Sequence, residues 1–256
     1  MNILICNDDG VYAPGIKILA EHLRDVANVT VVAPLEERST TSHTLTLDHP
    51  IRIVEIEHQV WGCSGYPADC ALMGLAEIMK DRRPDLVVSG INRGANLGQD
   101  IYYSGTAAAA REAIFHGIKG IAVSSVLDFL PMSVTHHYYE TAAQFIVELI
   151  KSGVTDLIAP MQLINVNVPN RPQNEIRGVE LTHLGFRHYS EEIEKRTDFR
   201  QRPYYWIGGV YKGSSRQEGT DCWAIEQNKI SLSVLNLLGQ STDRKEEWEA
   251  LIQKLN

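Results

Sequence analysis

Short runs of consecutive apolar residues alternate with helix-spaced apolar stretches through the first 170 residues. The opening run, Ile3-Leu4-Ile5-Cys6, predicts a strand buried on both faces. Ile16, Leu19, Ala20, Leu23 and Val26 then fall at helical spacing, with Pro14 suited to a helix start. Val29 to Ala33 predicts a second buried strand, stopped by Pro34. A short β pair is expected over 51–56 and 59–62, and a helix from Pro67 to Met79. Leu86-Val87-Val88 predicts a strand, followed by a helix from Thr106 to His116 and a strand at 121–123. A helix over 136–151 and a strand from Leu163 to Val168 complete the series. Such alternation predicts βαβ units and a mostly parallel sheet covered on both faces, a Rossmann-like three-layer α/β/α fold.

The pattern changes after Pro169. Residues 176–236 are richer in aromatics, glycine and alternating segments such as Tyr204-Tyr205-Trp206-Ile207, which predicts β-hairpins. Asp243 to Leu255 predicts an amphipathic helix with Trp248, Leu251, Ile252 and Leu255 on one face. With no internal repeat or linker, one domain over 1–256 is expected. It comprises an α/β core over 1–170 and a β-hairpin and helix extension over 171–256.

Hydrophobic residues make up 44% of the 256 and charged residues 22%, ordinary values that exclude a disordered chain. The net charge of −8 argues against binding a nucleic-acid polymer, but leaves room for a small anion held by local groups. No apolar stretch approaches the roughly 20 residues that span a bilayer, and no signal-peptide pattern opens the chain. Membrane association is therefore not expected. Cys6, Cys63, Cys70 and Cys222 form no C-x-x-C pair, which removes zinc-knuckle and thioredoxin-like chemistry and suits a reducing, cytoplasmic setting.

Candidate chemistry gathers at loops that follow strands, where open α/β sheets bind ligands. Asp8 and Asp9 follow the first strand directly, with Gly10 supplying freedom for a turn. Paired carboxylates repel, and a hard divalent cation such as Mg²⁺ or Mn²⁺ relieves them; a solvated turn capping the next helix is the plainer alternative. The hydroxyl-rich segment Glu37 to His43 follows the second strand. Ser89 to Gly98 carries three glycines and two asparagines. Tyr103-Ser104-Gly105-Thr106 runs into four alanines, so Ser104 or Thr106 is a natural N-cap. Free N–H groups there would also suit a phosphate. A cation plus an anion cradle along one sheet edge points to phosphate-ester hydrolysis. Walker A, G-x-G-x-x-G and G-x-S-x-G motifs are all missing.

Taken in order, these segments resemble the SurE family, the survival protein E nucleotidases. The resemblance rests on Asn7-Asp8-Asp9-Gly10 with Ala13-Pro14-Gly15, Val32-Ala33-Pro34 with Arg38-Ser39, and Val88-Ser89-Gly90-Ile91-Asn92 with Gly94 and Asn96-Leu97-Gly98. Tyr103-Ser104-Gly105-Thr106, then Gly65, Pro67, Asp69 and Cys70, and Glu218-Gly219-Thr220-Asp221 extend it over nearly the whole chain. The resemblance implies a 5′-nucleotidase, a phosphomonoesterase that releases phosphate from nucleoside 5′-monophosphates, with 3′-monophosphates and short polyphosphate as further candidates. It implies one divalent cation per subunit, Mg²⁺ or Mn²⁺, held by Asp8, Asp9, Ser39 and Asn92, with either aspartate activating water. It implies phosphate contacts from Asn96, Ser104, Gly105 and Thr106, and a homodimer or homotetramer built through the C-terminal extension. Thr40 stands where a glycine is usual and His43 where an asparagine is usual. His43 is then either a hydrogen-bonding loop residue or a titrating group that reaches substrate. Two rivals remain. A signalling receiver domain needs a phosphoacceptor aspartate, where this chain has Ser89-Gly90-Ile91-Asn92; a nucleotide-binding protein without chemistry would release no phosphate.

Overall fold

Alternate residues of the first strand sort into two separate cores. Ile3 and Ile5 of β1 (Asn2–Cys6) join one buried cluster, and Leu4 and Cys6 join another. Successive side chains of a strand point to opposite faces, so an unbroken apolar run needs cover on both. The computed structural model describes residues 1–127, 136–239, 245–246 and 252–253. The helix expected over Asp243–Leu255 lies outside them, apart from those last two pairs.

On one face, α1 (Pro14–Arg24) and α4 (Tyr139–Lys151) set Ile16, Leu19, Leu23, Tyr139 and Ile146 against the sheet. The expected start of α4 moves from 136 to Tyr139. On the other face lie α2 (Pro67–Met73), which widens into a π turn over Gly74–Ile78, and α3 (Gly105–Phe115). Ala107 to Ala110 of α3 are fully buried. Such small side chains let the helix press onto the sheet.

Among the described residues the central sheet has nine strands. β2 (Asn28–Pro34), β5 (Leu86–Arg93), β6 (Lys119–Val126) and β7 (Gln162–Pro169) run parallel with β1, in the order β2-β1-β5-β6-β7. Beyond β2, β4 (Val60–Cys63) pairs parallel and then hairpins to β3 (Ile53–Glu57). The chain steps from β1 to β2 on one side and later returns to β5 on the other. The ends of β1 and β5 therefore flank a topological switch point, where ligands bind in open α/β sheets.

The last third differs in part from the expected hairpins. After the short helix α5 (Val154–Leu157) and β7 come β8 (Val179–Thr182), β9 (Arg187–Tyr189), β10 (Ile193–Thr197), β11 (Pro203–Ile207) and β12 (Tyr211–Ser214). Among the described residues of this part only β10–β11 joins consecutive strands, while β9 pairs with β12. A short helix, α6 (Asp221–Glu226), follows. Then β13 (Ile230–Asn236) enters the central sheet antiparallel to β7 and brings β8 with it. The reason lies in the small hydroxyls Ser231 and Ser233, both buried and each hydrogen-bonded at 2.8 Å to the buried Thr182 hydroxyl, which alternation alone reads as a solvent face.

Candidate active site

The loop after β1 is held by its own first residue. Asn7 is fully buried; its Nδ2 donates to the Gly10 carbonyl at 2.9 Å and its Oδ1 accepts the Gly10 N–H at 3.2 Å. Gly10 sits at φ +101°, where a side chain is strained. That turn aims Asp8 into a cavity of about 930 Å³, lined also by Ser39, Thr40, Asn92, Asn96 and Ser104. The volume lies within the roughly 300–1,000 Å³ of small-molecule sites.

Asp8 is 6% exposed. Its Oδ1 accepts from the Thr106 hydroxyl at 2.6 Å. Burial raises the Asp8 carboxyl to about 6, the Thr106 hydroxyl opposes the rise, and the Asp9 charge adds to it. Asp9 turns toward the end of β5, where its Oδ2 accepts the Arg93 N–H at 2.8 Å. Burial raises Asp9 too, against the Arg93 backbone N–H and guanidinium, with the Glu37 charge adding to the rise.

The second loop is anchored on the first by Arg38 N–H donating to the Asp8 carbonyl at 2.7 Å. Ser39 Oγ donates to Glu37 Oε1 at 2.7 Å, so its lone pairs stay available. Thr40 adopts φ +57°. A β-branched residue in that region costs about 1–2 kcal/mol. Asn92 follows the irregular register of β5 between Ser89 and Asn92, and its Nδ2 donates to the Gly94 carbonyl at 2.9 Å, leaving Oδ1 for a ligand. Asn96 is fixed on three sides: Asn167 Oδ1 accepts its N–H, Asn165 and Asn167 donate to its carbonyl, and its Nδ2 reaches Ser124 Oγ at 2.8 Å.

Ser104, rather than Thr106, caps α3, its Oγ accepting from Ala107 N–H at 3.0 Å. Gly105 marks a close approach: a Cβ there would lie 2.8 Å from Asp8 Cβ and 3.0 Å from Asp8 Oδ2. Thr106 is fully buried and spends its hydroxyl on Asp8. His43 stands outside the cavity lining, where its Nε2 reaches Glu112 Oε2 at 2.8 Å.

Three supports escaped the sequence pattern. Asn165 and Asn167 alternate within an apolar strand, and that period-two interruption was the available signal. Asp221 is fully buried and accepts N–H groups of Gly98, Gly185 and Cys222, each at 2.7 Å, tying the Asn96 loop to the segment before β9. Phe186, Arg187, Tyr189 and Gly208 also line the cavity. Arg187 Nη1 donates to Asp100 Oδ2 at 2.6 Å, and its guanidinium lies 4.5 Å from the Tyr211 ring.

The donor set fits a hard cation. Among the described residues neither Asp8 nor Asp9 has an ion pair, and a buried carboxylate beside a partly buried one is unfavourable without a counter-charge. The Asn92 amide oxygen and the Ser39 hydroxyl complete an all-oxygen set. No group of three or more His, Cys, Asp and Glu is arranged to hold a metal anywhere among the described residues, this site included, so a cation here relies on two carboxylates with the neutral oxygens of Ser39 and Asn92.

Residues 3–191 match the model of a family described as survival protein SurE. A Vibrio cholerae protein named 5′-nucleotidase SurE is 45% identical over 237 residues, spanning 93% of this chain and 92% of that one. Another of that name, from Methylobacillus flagellatus, is 41% identical and spans 98% of this chain and 100% of its own. The crystal structure of the SurE protein from Aquifex aeolicus superposes with a TM-score of 0.84 at 34% identity, covering all of both chains. The family model, the relatives and the shared architecture agree: the chain belongs to the survival protein SurE family.

Proposed function

We propose that this chain is a divalent-metal-dependent 5′-nucleotidase that hydrolyses nucleoside 5′-monophosphates to nucleoside and inorganic phosphate. The observation that carries the proposal is the meeting of the buried Asp8 carboxylate with the N-terminus of α3 in one nucleotide-sized cavity. The names of the relatives from Vibrio cholerae and Methylobacillus flagellatus support it.

Asp8, Asp9, Ser39 and Asn92 hold Mg²⁺ or Mn²⁺. When bound, such a cation neutralises phosphoryl charge and eases deprotonation of water. Thr106 fixes the Asp8 carboxylate, and Asp8 or Asp9 orients the attacking water and takes its proton. Asn96, Ser104 and the Gly105 N–H bind phosphoryl oxygens at the positive end of α3 and stabilise charge on the transferring group. Phe186, Arg187 and Tyr189 face the nucleoside. The 3′-monophosphates and short polyphosphate share the phosphoryl group and are secondary substrates. The test is phosphate release from a panel of 5′- and 3′-nucleotides with Mg²⁺, with Mn²⁺ and after exhaustive chelation. Release that depends on added metal and is fastest with 5′-monophosphates is expected. Undiminished activity after chelation would overturn the metal assignment, and nucleotide binding without phosphate release would overturn hydrolysis.

The enzyme works as a homodimer or homotetramer in the cytoplasm. All residues of β10 and β11 are exposed, including Tyr204, Tyr205, Trp206 and Ile207, and an isolated two-stranded hairpin with such a surface needs a partner. All four cysteines are free and buried, as suits a reducing compartment, and no helix among the described residues is long and apolar enough to cross a membrane. Sedimentation at micromolar concentration should give a dimer or larger species; a monomer would refute assembly through the extension.

A further inference from the structure

We propose that His43 is a positioning residue that latches the metal-binding loop onto α3 through the buried carboxylate of Glu112. The proposal rests on the assignment of Ser39 as a metal ligand made above. Glu112 is 6% exposed, lies on the helix whose first turn supports Asp8, and faces two imidazoles. His43 Nε2 stands 2.8 Å from Oε2 and His116 Nε2 stands 3.0 Å from Oε1. An ionised carboxylate only accepts, so each imidazole donates its Nε2–H. The His43 ring also stacks on Phe115, with centroids 5.7 Å apart.

The loop needs such a fastening. No helix or strand forms between β2 and β3, a stretch that includes Ser39 and the strained Thr40. Its other side-chain ties are local or reach only backbone: Ser39 Oγ to Glu37, Thr41 Oγ1 to the Arg38 carbonyl and Thr44 Oγ1 to the Thr41 carbonyl lie within the loop, and Ser42 Oγ reaches the Tyr102 carbonyl beside the Ser42 N–H on the Tyr103 carbonyl. Beyond them, Thr46 donates to Asp69 on α2. Within residues 39–45, His43 is the one side chain that reaches a charged group of a core helix among the described residues. Fixing it fixes the approach of Ser39 to Asp8. The imidazole thus acts on the metal site through Glu112 and touches no substrate.

Two measurements test this. Amide hydrogen exchange of residues 38–46 is read in the metal-free protein, and Mn²⁺ affinity is read by calorimetry without nucleotide. His43→Ala should speed exchange across the loop about tenfold while the sheet is unchanged. It should weaken Mn²⁺ binding by about 10–100-fold, as loss of groups that orient metal ligands does. Glu112→Leu, which replaces the buried charge by an apolar group of similar size, should do the same, and the double variant should be no worse than either single one. His43→Gln, which keeps a donor, should restore part of both. If His43→Ala changes neither exchange nor Mn²⁺ affinity, the latch is wrong. If it raises only the nucleotide KM while Glu112→Leu does not, His43 is a substrate contact instead. A wild type that binds no Mn²⁺ would remove the proposed function, while the exchange data would still decide whether the latch exists.

Discussion

Asp8→Asn should abolish nucleotide hydrolysis yet make the metal-free protein more stable at neutral pH. Partners that merely orient a ligand cost about 10–100-fold, so loss of a direct ligand should exceed 100-fold. The gain in stability has a separate cause. The folded carboxyl sits at about 6 against an ordinary 3.8, chiefly because burial penalises its charge. Between those values the folded protein keeps a proton that the unfolded chain has released, so stability falls as pH rises. Above about 6 the whole penalty, about 1–3 kcal/mol, is present. Asparagine carries no charge at any pH and keeps an oxygen for the Thr106 hydroxyl. Thermal unfolding of both metal-free proteins should show the variant ahead at pH 7.5, with the gap shrinking toward pH 4. Mn²⁺ should raise the melting temperature of the wild type and leave that of the variant almost unmoved. A variant less stable at pH 7.5, or one that keeps more than a tenth of the activity, would overturn this account of Asp8.

Gly105→Ala should be nearly as damaging to activity, and here with a loss of stability. The added methyl would meet Asp8 Cβ at 2.8 Å and Pro67 Cγ at 2.9 Å, neither of them the far end of a flexible chain. Either Asp8 leaves its place against Thr106 or α3 backs away from β1. Overpacking of this kind costs about 1–3 kcal/mol. Ser104→Ala provides the contrast: it removes a cap worth about 1 kcal/mol but pushes nothing into the carboxylate. Mn²⁺ affinity and nucleotide KM separate the two variants. Gly105→Ala should weaken the metal site, while Ser104→Ala should act chiefly on KM. Equal effects of both on Mn²⁺ affinity would show that the helix start, not the contact with Asp8, carries the effect.

The sequence by itself determined the layered core. Ile3-Leu4-Ile5-Cys6 and Leu86-Val87-Val88 are apolar at every position, and only a sheet covered on both faces satisfies that. The candidate loops stood out because each follows such a run or opens a helix, as at Asp8 and Ser104, whereas the choice of Ser39 and Asn92 within their loops came from the family resemblance. The far ends of the chain were less legible. Ser231 and Ser233 look like solvent positions in alternation, but partners from a strand about fifty residues away bury them and carry β13 into the central sheet.

What only the tertiary structure decided is which atoms each polar side chain spends on its neighbours. Thr106 reads as a free hydroxyl at a helix start, yet its oxygen is committed to Asp8, 98 positions away. His43 reads as a residue of the Ser39 loop that could reach substrate, yet it turns to Glu112, 69 positions away. Asn165 and Asn167 interrupt their apolar strand with period two, but neither they nor Asp221 carry a mark of the partner they bind, which is the backbone of a distant loop. Apolar burial is non-directional and leaves a repeating mark on the sequence. A hydrogen bond joins two particular atoms at one distance and angle, and nothing in the order of residues marks its partner until the chain has folded.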